Sequence, residues 1–201
     1  MRSSATGLVA AAVLAAALSA PAQTRMVERV LAVADGRPVL LSEVRAAARV
    51  RGEETGPALE SVIDEMLMFA AASRLPQAAV GAEEEERALK ALLDVVARPG
   101  TGGEAPDTEA LRRMARRQAV ILKYVDFRFR PQVRVTEEDV RDALRTRGED
   151  AAPASAGEVE ASRSVLEAED LDRRIEGWVA DLRREARIRY NPVSGTVPAT
   201  R

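Results

Sequence analysis

Along most of this chain apolar residues return every three or four positions, the spacing of one helix face; only near the start do they cluster as in strands. Val30 to Val33 and Val39 to Leu41 flank Asp35-Gly36, a dipeptide that readily takes the positive φ values of a tight hairpin turn. Pro38 lacks an N–H, so its strand is expected at a sheet edge. Ser42 is the expected N-cap of a first helix running to about Val50. Leu59, Val62, Ile63, Met66, Leu67 and Ala70 predict a second helix to about Leu75, stopped by Pro76. A third starts near Ala82, with Glu83 to Glu86 at the positive end of its dipole and Leu89, Leu92, Leu93 and Val96 as its apolar stripe.

The segment Arg98 to Asp107 reads as a Gly/Pro loop before a long helix from Thr108 to Arg130. At about 100° per residue, Leu111, Met114, Gln118, Ile121, Val125 and Phe129 share one face of that helix. Val120, Tyr124 and Phe127 form a second stripe, roughly opposite, among Arg113, Arg116 and Arg117. A helix apolar on two sides is either covered twice, here by the closing helix, or leaves one side for a partner. Thr136 with Asp139 predicts a capping box for a short helix to about Arg145. Residues 148–157 read as a linker of Ala, Pro, Ser and acids. A closing helix follows from about Glu158 to Ala186, with Leu171, Ile175, Trp178, Val179 and Leu182 on one stripe. Arg187 to Tyr190 alternates like a short strand, and residues 192–201 are left as a disordered tail.

The expected fold class is mostly α: a single helical domain with a small N-terminal β-hairpin, completed by the C-terminal helix and short strand. Composition agrees. Helix formers dominate, and one Trp, two Tyr and three Phe are too few for an ordinary β-sandwich or barrel. The chain also opens like an exported protein. Arg2 precedes the uncharged apolar run Leu8 to Ala20, and Ala20-Pro21-Ala22 has the small-x-small form that signal peptidase reads. Residues 1–22 are therefore expected to be a cleaved signal peptide, and residues 23–191 one periplasmic domain with no integral membrane anchor after cleavage.

Chemistry is narrowed by what the chain lacks. With no histidine and no cysteine, Ser-His-Asp triads, cysteine nucleophiles and the usual zinc ligands are all excluded. The acidic clusters sit where helix starts want negative charge, and Gly100 to Gly103 has neither the Lys-Ser/Thr nor the strand of a phosphate loop. No catalytic residue, metal site or cofactor is expected. Between Arg112 and Arg134 the only acid is Asp126 among many basic residues. That strip reads as a solvated face pairing with Glu83 to Glu86, and export argues against nucleic acid as a partner.

The order of these elements is recognisable. The stretch VLAVADGRPVLLSEV resembles the opening hairpin of SurA-like periplasmic chaperones, and LESVIDEMLMFAAASRL the helix that follows it. RRQAVILKYVDFRFRPQVRVTEEDVRDAL, with its Arg-Pro exit, is the closest match, and LDRRIEGWVADLRREARIRY resembles the family's closing helix and strand. The family's parvulin-type isomerase domain would lie where this chain has only residues 148–157, and no histidine exists for its site. The resemblance implies an ATP-independent holdase for unfolded outer-membrane or other envelope proteins, not an enzyme. An envelope adaptor or assembly subunit and a peptidyl-prolyl isomerase are the alternatives. On this reading Val120, Tyr124 and Phe127 line a client groove flanked by Arg113, Arg116 and Arg117.

Overall fold

A computed structural model of the chain describes residues 28–98, 105–146 and 154–191. The signal-peptide run, most of the Gly/Pro loop, residues 148–153 of the linker and the 192–201 tail lie outside the described residues. Within them, β1 (Val30–Ala34) and β2 (Arg37–Leu40) form the hairpin. Asp35 and Gly36 both take positive φ, 48° and 78°, as its two-residue turn requires. The pairing register shifts at Leu31, a β-bulge that lets the consecutive residues Leu31 and Ala32 both be buried.

The helices are α1 (Leu41–Arg51), α2 (Thr55–Ala72), α3 (Ala82–Val96), α4 (Thr108–Arg128), α5 (Glu137–Thr146) and α6 (Ala156–Glu185); β3 (Ile188–Tyr190) ends the described chain. Strand order is β2-β1-β3, all antiparallel, so Pro38 lies on an edge strand and the C-terminal strand pairs with the N-terminal hairpin. Asp35 reinforces that closure: its N–H donates to the Arg187 carbonyl (3.1 Å), and its carboxylate accepts from the Arg187 N–H (2.8 Å). The mostly α fold, with a hairpin completed from the C-terminus, is what the sequence pattern predicts.

Helix boundaries follow local chemistry with small corrections. α1 begins at Leu41, so Ser42 is its second residue and not its cap; Glu43 instead folds back to accept from the Leu40 N–H (3.3 Å). α2 ends at Ala72, before the predicted Leu75, and a 3-10 turn at Pro76–Ala78 carries the chain on. Asp107 caps α4 through the Glu109 N–H (2.8 Å). Thr136 and Asp139 make the predicted capping box of α5. α6 starts at Ala156, inside the expected linker, where Ser155 and Glu158 cap each other.

The main core gathers Val39 of the hairpin, Val44 and Ala47 of α1, Val62, Ile63 and Leu67 of α2, Leu89 and Leu92 of α3, and Leu111 and Met114 of α4. Leu182 and Ile188 pack against its edge. α6 docks along α2 through Arg183, which grips Glu60 (3.0 Å) and Asp64, while its N-terminal half packs on α5. No helix among the described residues is long and apolar enough to cross a membrane.

Candidate functional site

Three charged side chains interrupt the apolar faces of α1, α2 and α4, and they meet. Glu43, Glu65 and Arg117 are 4 %, 3 % and 7 % exposed. Arg117 donates from Nη1 to Glu43 (2.7 Å) and from Nε to Glu65 (2.8 Å), so one guanidinium bridges two helices from a third. Arg51 at the end of α1 adds a second cation to Glu65 (2.7 Å), and Arg113 a second to Glu43 (3.1 Å). Burial would pull the Arg117 pKa down, but the Glu65 and Glu43 carboxylates beside it more than offset this and hold it above its ordinary value. Every charged side chain of the cluster has an opposite partner within 3.1 Å, which offsets part of the cost of burying it.

This cluster floors an open groove of about 500 Å³ between β2, α2 and α4. Pro38, Leu40, Met66 and Phe69 give it an apolar wall. Arg37, Arg113 and Arg116 line it with positive charge, and Arg117 and Glu43 reach it from the buried cluster. A smaller depression of about 240 Å³ adjoins it, sharing Phe69 and Arg116 and continuing past Leu75, Pro76 and Val80 to Val120. The wall is available because β2 is an edge strand, with no further strand beside it.

The six residues singled out from sequence therefore part company. Arg113 and Arg116 line the groove, paired through Nε with Glu43 and with Glu85 (3.4 Å). Arg117 is not a flanking surface cation but the buried centre of the cluster. Val120 is buried against Ala72 and Ala78, beneath Phe69, Leu75 and Val80, so α2 and the 3-10 turn cover it, not the closing helix. Tyr124 is covered by the closing helix: its ring stacks on Trp178 with centroids 4.8 Å apart, and Phe129 packs on both rings. Phe127 is 52 % exposed, although Phe129, two residues further along, still packs on Trp178 of α6. The stripe is continuous in angle but not in surroundings.

Of the basic strip, Lys123 and Arg116 pair as expected with Glu84 (2.8 Å) and Glu85 of α3, whereas Arg130 and Arg112 pair locally with Asp126 (2.8 Å) and Glu109. Sequence reasoning missed Glu43, Glu65 and Arg51 as parts of the site. A signal for the carboxylates existed. Glu65 falls on the face of Ala58, Val62 and Ala72, and Glu43 on that of Ala46 and Ala47, where a charge must find a partner. Among the described residues no cluster of acidic side chains could hold a metal ion. Compared with protein-family models and with curated proteins, the chain matches none.

Proposed function

We propose that this protein is an exported, ATP-independent holdase, which binds extended segments of unfolded envelope proteins in the β2/α2/α4 groove. The observation that carries the reading is the groove itself: an apolar wall of Pro38, Leu40, Met66 and Phe69, open to solvent beside a closed core and rimmed by arginines. Such a surface takes side chains from an extended chain without requiring a reaction centre. Pro38 shapes the mode of binding. It removes a donor from the free edge of the sheet, so strand addition is weakened and side-chain burial must supply most of the affinity. Arginine planes can stack on client aromatics, which adds to that burial. The resemblance of the hairpin, the long helix and the closing helix to SurA-like chaperones points the same way, and the signal-like N-terminus supports a periplasmic location.

The test is aggregation suppression. A urea-unfolded outer-membrane β-barrel protein is diluted into buffer without nucleotide, and light scattering is followed with increasing amounts of this protein. Suppression near equimolar ratio is expected. It should weaken in the double variant Pro38→Asp with Arg116→Asp, two exposed positions whose change leaves the core intact. Scattering unaffected by a molar excess of wild-type protein would overturn the reading.

A further inference from the structure

The groove has a charge imbalance that an apolar client alone does not use. Three arginines, Arg51, Arg113 and Arg117, share two carboxylates, Glu43 and Glu65. Arg116 has Glu85, but at 3.4 Å and at the exposed rim. Arg37, on the facing edge strand, lines the groove from the other side and is exposed. With Glu28, whose charge also acts on Arg113, five guanidinium groups stand against four carboxylates in and beneath the cleft, leaving an excess of one positive charge. The geometry keeps that charge presentable. Arg113 and Arg116 engage their carboxylates through Nε, which leaves the outer edge of each planar fork directed to other acceptors. Glu43 also holds Arg113 in place while bonded to Arg117, so the rim cation is pre-ordered by the buried pair beneath it.

We propose that the groove selects polypeptide segments in which large apolar side chains alternate with carboxylates, the apolar groups seated on Met66 and Phe69 and the carboxylates held by Arg37, Arg113 and Arg116. This rests on the holdase reading and adds to it a preference by charge. In an extended segment successive side chains point to opposite sides. The alternation therefore sends one set to the apolar wall while the other reaches the rim. Charge complementarity both speeds encounter with acidic segments and disfavours basic ones, which the groove's excess positive charge repels.

The experiment uses short fluorescein-labelled peptides in which Phe alternates with Asp, with Asn or with Lys, titrated with the full-length mature protein and followed by fluorescence anisotropy. The Asp peptide should bind about tenfold more tightly than the Asn peptide, with the Lys peptide weakest. Raising the salt should narrow the gap between Asp and Asn. In the variant Arg37→Gln with Arg113→Gln the Asp peptide should lose about tenfold more affinity than the Asn peptide, so that the gap between the two closes. Arg37→Gln alone, on an exposed edge position, should give part of the loss and guards against a folding defect in the double variant. Equal binding of all three peptides would overturn the charge preference while leaving the holdase intact. Absence of binding by any peptide, together with no suppression of aggregation, would overturn both.

Discussion

At Arg117 one side chain holds α1, α2 and α4 together through two buried carboxylates. Arg117→Met keeps an unbranched, flexible side chain and removes the charge, leaving Arg113 as the remaining cation on Glu43 and Arg51 as the remaining cation on Glu65. The expected cost is about 3 kcal/mol, the lower end for breaking a buried pair, because each carboxylate keeps one cation. Urea denaturation measures it, and adding Glu65→Gln to the variant should recover part of the loss, since an amide is cheaper to bury unpaired than a carboxylate. A second residue-scale contrast separates Tyr124 from Phe127. Tyr124→Ser removes the ring stacked on Trp178 and should cost about 1–3 kcal/mol while shifting the emission of the chain's one tryptophan. Phe127→Ser, at an exposed position, should change stability by no more than about 0.5 kcal/mol. Periodicity could not separate these two residues. It places both on one broad stripe; what differs is that Trp178 of α6 lies against Tyr124 and Phe129 and leaves Phe127 exposed.

Elements carry their own electrostatics at their starts. Glu84 is held below its ordinary value of 4.5 chiefly by the Lys123 ammonium and then by the Gly81 N–H. Glu158 is lowered from the same value by the Ser155 hydroxyl and N–H, and Asp139 from 3.8 by the Thr136 N–H and hydroxyl. For a carboxyl depressed in the folded state, the unfolded chain takes up its proton first as acid is added. Their contribution is therefore complete above pH 4.5 and is lost as the pH falls through the lowered folded values. The urea midpoint should stay level near neutrality and then drop below pH 4.5. The triple variant Glu84→Gln, Asp139→Asn and Glu158→Gln should flatten that drop. A drop of the same size in the triple variant would place the acid sensitivity elsewhere. These starts were legible from sequence where the cap is a local pair, as at Thr136 and Asp139. Ser42 misled because β2 runs straight into α1 at Leu41, which puts Ser42 inside the first turn, and the sequence alone does not show that the strand and helix abut.

Across the whole molecule the two ends of the described chain close on each other: β3 pairs with β1, Arg187 with the hairpin turn, and Arg183 with α2. That closure was legible because the Val-rich start and the alternation from Arg187 to Tyr190 are the only strand-like stretches in a helical chain. The Glu43–Arg117–Glu65 cluster was not, because its partners lie 52 and 74 residues apart and no spacing rule connects them. The groove is a property of this closed shape, formed where an edge strand, the end of α2 and the middle of α4 leave a wall uncovered. The central claim is that an unfolded client lies there, and site-specific photocrosslinking tests it most directly. A benzophenone side chain is placed in turn at Arg37 and Arg116 on the groove and at Glu176 on the exposed side of α6, and each protein is irradiated with an unfolded outer-membrane protein. The account expects strong crosslinks from positions 37 and 116 and background from 176. Crosslinking from 176 that equals or exceeds that from the groove, or none from any position, would contradict it.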